Sequence, residues 1–172
     1  MPQPLTLRQE LSDRVYVEDG LFWINACDLD NVGGVDDIES TEFVSVNADR
    51  NAVLVTSAAQ DHEASVTMTA WSSEPPPPHG DWDEVADLDL RLSSGRIRLA
   101  GIMGTQSTVF LAAGDAGESV RARLYGRGRR TAAEAEIAAA LAGQEPTGLE
   151  HYHLQVWPVP EHQVRTPINR RR

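Results

Sequence analysis

The chain has 172 residues, of which 41% are hydrophobic and 24% are charged, so it can bury one sizeable core without a second domain. Its single cysteine, Cys27, excludes an intramolecular disulfide, and no apolar run approaches the roughly 18 residues of a membrane-spanning helix. The N-terminus lacks a basic-then-apolar signal pattern, and we therefore expect a cytoplasmic protein that does not contact membranes.

The net charge of −11 is unevenly distributed. Residues 1–90 hold 19 of the 26 acidic residues and only three arginines, whereas residues 91–172 hold 7 acidic residues and 12 arginines. The chain has no lysine, so every basic side chain is a guanidinium that can form forked bonds with carboxylates. Two interpretations remain open: neighbouring strands compensate each other's charges, or an acidic surface binds a basic partner. So acidic a chain is not expected to bind nucleic acid directly.

The first half of the chain predicts an irregular lead-in over residues 1–13, followed by a series of β-strands. Strands are predicted at residues 14–18, 21–24, 42–46, 52–56 and 64–71, which are rich in β-branched and aromatic residues. The strands at 42–46 and 52–56 flank a polar turn and predict a hairpin. The four prolines of residues 75–78 donate no ladder hydrogen bonds, which predicts a rigid connection from one sheet to another.

The clearest strand pattern begins after these prolines. Residues 88–92 (LDLRL) alternate apolar and charged side chains, residues 93–95 (SSG) supply a turn, and residues 96–99 (RIRL) resume the alternation. This pattern predicts a hairpin with one face in a core. Further strands are predicted at residues 107–111, 120–125 and 150–158.

One helix is predicted near residues 131–142. Thr131 and Glu134 match a capping box, the alanine-rich residues that follow favour a helix, and Gly143 is suited to end it. Because its alanine face is too small to anchor a core, we expect this helix to lie on the surface of the sheets.

About eight short strands and one helix predict a mainly β fold, a single-domain antiparallel β-sandwich over residues 14–160. The arginine-rich residues 161–172 are expected to form a flexible tail. Within the sandwich, the two arginines of residues 121–123 would pair with Asp87 and Asp89 if their strands were neighbours.

Three motifs of this chain recur together in a set of small bacterial proteins. They are DWDEV with SGRI at residues 81–85 and 94–97, VRARLYG at residues 120–126, and EHYHLQVWP at residues 150–158. Residues 74–160 thereby resemble an uncharacterised, largely actinobacterial family related in architecture to competence protein J. That protein is a β-sandwich that accompanies and inhibits a competence nuclease, so the resemblance implies a sandwich fold and an inhibitor-like function. Where family members usually have a short acidic, glycine-containing loop, this chain has arginines and the predicted helix.

The acidic stretch after Cys27 is the candidate partner-binding site, because its carboxylates could complement a basic protein such as a nuclease or toxin. The candidate residues are Asp28, Asp30, Asp36, Asp37, Glu39 and Glu42. The same stretch partly matches an EF-hand calcium loop, with Asp28 and Glu39 at its first and last positions. Val32 stands where an oxygen ligand is needed, and the flanking residues predict strands rather than helices.

His151 and His153 lie two residues apart on a predicted strand, so both rings project from one face, as two metal ligands could. A third ligand would be His62 or His79, supported by the carboxylates that flank His62. We expect ordinary surface or core-edge histidines, with a metal site as the alternative.

No serine-centred elbow, phosphate loop or zinc motif supports an enzyme. The sequence predicts a non-catalytic acidic protein-binding module, an inhibitor or immunity protein for a nuclease or another toxic enzyme, without cofactor or catalytic residues. The alternatives are a calcium- or transition-metal-binding β-sandwich and a hydrolase with no recognisable motif.

Overall fold

The structure is a computed structural model, and it describes residues 4–26, 39–47 and 49–164. Its elements in chain order are β1 (Leu7–Val17), β2 (Leu21–Asn25), β3 (Glu39–Ser40), β4 (Val44–Val46), β5 (Ala52–Thr56), β6 (His62–Trp71), β7 (Glu84–Arg91), β8 (Arg96–Gly101), β9 (Leu111–Ala112), β10 (Ser119–Arg127), α1 (Arg129–Leu141) and β11 (Thr147–Pro158). A 3-10 turn follows at Glu161–Gln163.

Two sheets pack face to face. One has five strands in the order β1-β6-β11-β10-β7, and the other has six in the order β3-β4-β5-β2-β8-β9. All pairs are antiparallel except β6 with β11. Alternate side chains of each sheet, such as Met68, Leu154 and Phe22, are fully buried between the sheets. The predicted mainly β, antiparallel sandwich with one short helix is confirmed.

The central hairpin prediction is wrong, because the two strands belong to different sheets. β7 pairs with β10, whereas β8 pairs with β2 and β9. Residues 93–95 therefore form a corner between the sheets, where the Ser93 amide donates to the Ala26 carbonyl at 2.9 Å. An alternating pattern shows which face a strand buries but does not identify its neighbour. The other predicted hairpin, at 42–46 and 52–56, is confirmed as β4 and β5.

The proline-rich connection also differs from its prediction. It joins β6 to β7, which both belong to the five-stranded sheet, and it crosses the outer face of β11 and β10. The Gln155 Nε2 of β11 donates to the Pro76 carbonyl at 2.9 Å. The prolines lie outside the sheet ladder, as their missing amide donors require. The connection therefore covers the outer face of one sheet and does not lead to the other sheet.

The helix α1 begins at Arg129, two residues before the predicted start, and lies on the surface as expected, with Ala132 its buried residue. The prediction of a capping box at Thr131 and Glu134 is wrong. Gly128, at φ 83°, is the N-cap and provides no side chain, while the Arg129 amide donates to Asp83 Oδ2 at 2.8 Å. Asp83, which precedes β7, thus takes the place of the local cap. At the other end, Gly143 adopts φ 68° and ends the helix as predicted.

Strand β1 begins at Leu7, so the irregular lead-in is shorter than the predicted residues 1–13. None of the helices in the described part of the chain is long and apolar enough to cross a membrane. The sandwich has two ends. At the helix end, β10 ends, β11 begins and α1 lies between them; the cleft end is opposite and contains a polar cleft of about 520 Å³ lined by residues such as Arg50 and Arg91.

Candidate protein-binding site

The predicted partner-binding residues lie only in part within the described chain. Asp28, Asp30, Asp36 and Asp37, and with them most of the partial calcium loop, fall outside the described residues. The backbone of Glu39 lies in β3 opposite Val46. Glu42 is exposed in the turn before β4, next to Phe43, whose ring lies 4.7 Å from the Arg129 guanidinium. Glu42 is therefore placed at the helix end.

Arginine–aspartate pairs join β10 to β7. Arg121 Nε lies 2.8 Å from Asp89 Oδ1, and Arg123 Nε lies 2.6 Å from Asp87 Oδ1. The strand register places the members of each pair directly opposite each other. The predicted pairing of these arginines with Asp87 and Asp89 is confirmed. Some acids of the first half are thus neutralised by arginines of the second half, as charge compensation requires.

His151 and His153 do not share a face with His62. The side chain of His62 is fully buried between the sheets. The other two histidines project from the outer face, where their Nε2 atoms lie 3.4 Å from Thr67 Oγ1 and 3.2 Å from Thr69 Oγ1, respectively. The sheet separates the two positions, so the predicted metal site that includes His62 is wrong. Within the described ranges, no group of three or more His, Cys, Asp or Glu side chains is arranged to hold a metal.

The connection from β6 to β7 covers the two outer histidines. The ring of Trp82 lies 6.1 Å from each imidazole, and its Nε1 donates to the Pro78 carbonyl at 3.1 Å. Burial lowers the pKa of His151, and the charge of Arg127 lowers it further. Burial, followed by the neighbouring His151, lowers the pKa of His153 to about 4. Both rings are therefore neutral at pH 7 and belong to a small packed layer.

A buried polar network lies beneath the start of α1, and its centre is Glu150 of β11. The Glu150 carboxylate is fully buried, and both of its oxygens are hydrogen-bonded. Its donors are the Tyr152 hydroxyl (2.9 Å), His62 Nε2 (3.2 Å), the Ala58 amide (3.0 Å), Arg129 Nη1 (3.4 Å) and the Ser57 hydroxyl. The network therefore joins β6, β11, α1 and the segment after β5 at one point.

The Glu150 carboxyl remains ionised in this network. Burial by itself would raise its pKa, but the hydrogen bonds from His62, Ser57 and the other donors outweigh burial and lower the pKa below its ordinary value. The same network raises the pKa of the Tyr152 hydroxyl, first through burial and then through the adjacent Glu150 charge. Arg129 supplies the opposite charge and also donates to the Thr56 carbonyl at 2.7 Å.

The serine, histidine and glutamate of this network do not have the geometry of a catalytic triad. In a triad, the nucleophile and the acid contact opposite ring nitrogens. Here Ser57 Oγ and Glu150 Oε2 both contact Nε2 of His62, at 3.0 Å and 3.2 Å, and the Ser57 hydroxyl itself contacts the carboxylate. Nδ1 of His62 has no partner in the described part of the chain. The network suits a structural role at the helix end.

The sequence contains one signal for this network that was missed. On β11, residues 150, 152, 154 and 156 share the face that the apolar Leu154 and Val156 place in the core. Glu150 must then be buried, and a buried carboxylate needs several donors. The identity of those donors could not be predicted, because Ser57 and His62 lie about 90 residues earlier in the chain.

No protein-family model and no curated protein matches the sequence, whereas solved structures match the fold. One is ComJ from Bacillus subtilis, described as an inhibitor of the DNA-degrading activity of NucA. The match has a TM-score of 0.54 and 10% identity, and it covers 91% of this chain and 99% of ComJ. The chain has the fold of ComJ.

A second solved structure with this fold is described as crocagin biosynthetic gene J. It matches with a TM-score of 0.56 and 13% identity, over 88% of this chain and 98% of the other. Both matches extend across nearly the whole sandwich, so the architecture inferred from three sequence motifs is confirmed at the level of the fold.

Proposed function

We propose that this chain is a non-catalytic protein-binding module that inhibits a nuclease or another enzyme harmful to its own cell. The supporting observation is the fold shared with ComJ over 99% of that inhibitor's chain. The absence of triad geometry in the buried serine–histidine network of the described chain agrees with this role. An immunity-type role in the cytoplasm is part of the same proposal.

The partner in this proposal presents a basic surface. An enzyme that binds nucleic acid lines its groove with cations, and a protein with a net charge of −11 is complementary to such a groove. We assign the contact to the acids after Cys27. They are Asp28, Asp30, Asp36, Asp37, Glu39 and Glu42. Residues 27–38 lie outside the described chain; before them, the Ala26 amide donates to the Asn51 carbonyl at 2.7 Å, and after them Glu39 in β3 is paired with Val46.

Affinity purification of the tagged chain from its own cell tests this proposal. We expect an enzyme with a basic active-site surface to co-purify, and we expect the purified chain to inhibit that enzyme at a ratio of about one to one. Neutralising the candidate acids to asparagine or glutamine together should weaken inhibition. The proposal is wrong if the purified chain itself turns over nucleic acid or if the enzyme retains full activity in the complex.

A further inference from the structure

Large hydrophobic side chains are exposed at the helix end of the sandwich, on α1 and on the segments beside it. Tyr16 is 53% exposed, Met103 is 79% exposed, and Ile137 and Leu141 are 62% and 86% exposed. Ile137 and Leu141 lie one turn apart on α1 and thus form a single apolar row. Side chains of this kind, aromatic residues and methionine included, are typical of the centre of protein interfaces. Among the described residues, the helix end therefore has the anchors of an interface without an intramolecular partner that covers them.

Carboxylates lie next to these anchors. The Met103 amide donates to Glu18 Oε2 at 3.2 Å, and Glu136, which precedes Ile137, accepts the Asp61 amide at 2.7 Å. The pKa of the Tyr16 hydroxyl is raised by burial and then by the charges of four carboxylates at the same end. These are Asp61, Glu145, Glu18 and Glu136. Asp19, whose amide donates to Asp61 Oδ1 at 3.3 Å, adds a fifth.

The arginines at this end are engaged elsewhere. Arg14 pairs with Glu63 at 3.1 Å, Arg130 pairs with Asp83 at 3.4 Å, and the Arg127 guanidinium lies over the Trp82 ring at 5.3 Å. Arg129 belongs to the buried network. Across the ranges that the structure describes, none of the five acids at the helix end has an arginine within ion-pair distance. They are Glu18, Asp19, Asp61, Glu136 and Glu145. Within the described part of the chain, five carboxylates without an ion-pair partner therefore surround the anchors.

A groove of about 410 Å³ opens beside Tyr16 and Glu18, between β1 and residues 101–108. It is lined on one side by the edge strand β1, and Asp13 lies within it, hydrogen-bonded to the Ser107 hydroxyl. Two acidic residues, Asp13 and Glu18, and one basic residue, Arg14, line the groove, so it favours a basic side chain of a partner.

We infer that this helix-end surface, formed by Tyr16, Met103, Ile137 and Leu141 among the five acids, binds a protein partner that presents basic side chains around an apolar patch. The inference rests on the proposed function and assigns to it residues other than the six candidate acids after Cys27. A second copy of this chain is a poor occupant, because a two-fold contact would bring the same carboxylates face to face. A partner of opposite charge has no such penalty.

A nuclear magnetic resonance titration with two defined peptides tests the inference directly. One probe alternates arginine and leucine over 12 residues, and the matched probe replaces each leucine by serine. With the isotope-labelled chain, we expect amide shifts at residues 16–19, 59–61, 101–104 and 134–145. We also expect the arginine–leucine peptide to bind at least tenfold more tightly, since apolar anchors as well as charges are recognised.

A matched pair of variants locates the apolar contribution. Ile137→Gln with Leu141→Gln should remove the tenfold preference, whereas Leu5→Gln with Leu7→Gln changes two exposed leucines at the other end of β1 and should preserve it. The inference is overturned if the shifts lie elsewhere, if both peptides bind equally, or if the chain dimerises through α1. If no enzyme co-purifies with the chain, the proposed function fails while this surface is still tested by the peptides.

Discussion

At the scale of single residues, the Glu150 side chain is the centre of the buried polar network at the helix end. It is a fully buried carboxylate that receives hydrogen bonds from β6, β11, α1 and the segment after β5. A buried charge of this kind is costly to leave unpaired. The network therefore determines how the start of α1 sits on the sandwich, and with it the position of the helix-end surface.

Replacing Glu150 with glutamine should lower the free energy of unfolding by about 2–4 kcal/mol, because Arg129 then lacks its buried counter-charge. Urea denaturation at pH 7 measures the change. Glu145→Gln, at an exposed position, is the control and should stay within about 0.5 kcal/mol. A loss below about 1 kcal/mol for Glu150→Gln would mean that the network is not a stabilising element.

The outer histidines predict how stability depends on pH. The pKa of His153 is about 4 in the folded chain, below its ordinary value of 6.5, so that only the unfolded chain binds a proton between these values. Stability is therefore complete above pH 6.5 and declines as the pH falls toward 4. Between pH 7 and pH 5 we expect a loss of about 1–2 kcal/mol, a range reduced for the partial exposure of the ring.

Denaturation of the His153→Gln variant at both pH values checks the assignment. This variant should lose clearly less stability between pH 7 and pH 5 than the unchanged chain, because the depressed group is gone. His162→Gln removes an exposed histidine outside the layer and should behave like the unchanged chain. If the two variants respond identically to acid, the pH dependence arises from groups other than the layer under Trp82.

At the scale of elements, the Glu136 side chain links α1 to the segment between β5 and β6. The Glu136 carboxylate accepts the amides of Gln60 (2.9 Å) and Asp61 (2.7 Å), which lie between β5 and β6. The hydrophobic contribution of α1 is small, since Ala132 is its buried residue. The position of the helix thus depends on Glu136 together with Arg129.

Glu136→Ala should remove the hydrogen-bond acceptor of the Gln60 and Asp61 amides. We expect hydrogen exchange at Gln60 and Asp61 to accelerate at least tenfold and the free energy of unfolding to fall by about 1–2 kcal/mol, as for a charge-assisted hydrogen-bond pair. Glu134→Ala, on the exposed side of the same turn, is the matched control and should leave both amides protected. Unchanged exchange at Gln60 and Asp61 in Glu136→Ala would contradict this account of how α1 is held.

The elements also show which predictions a sequence can support. Alternation and turn residues located most strands and α1 correctly, because periodicity and local propensity depend on neighbouring residues. Which strands pair with each other was harder to predict from the sequence. The Arg121–Asp89 pair was predicted from complementary charges, but β7 was wrongly paired with β8, since the corner at residues 93–95 resembles a hairpin turn. The Asp83 cap of α1 depends on long-range contacts that no local pattern contains.

The candidate site was less predictable than the fold. The acids after Cys27 were selected by composition, and among them Glu42 has a described, exposed side chain. The helix-end surface was missed, because its anchors and acids come from β1, the segment between β5 and β6, the one between β8 and β9, and α1. Only the folded chain brings those segments together, so a search along the sequence could not group them.

At the scale of the whole molecule, the distribution of charge connects fold to proposed function. Arginines of β10 neutralise Asp87 and Asp89, which leaves the excess negative charge on other surfaces. The proposed function assigns a binding role to those surfaces. Opposite charges across an interface accelerate association more than they slow dissociation. The proposed inhibitor should therefore be distinguished by how quickly it binds at low salt.

The central claim is that this chain binds a basic enzyme through its acidic surfaces, and the association rate with the co-purified enzyme tests it most directly. We expect that rate to fall at least tenfold between about 50 mM and 500 mM salt, where the Debye length becomes shorter than about 5 Å, with little change in the dissociation rate. Neutralising the candidate acids should reduce both the rate and its salt dependence. An association rate that is independent of salt and unchanged in the neutralised variant would contradict the claim.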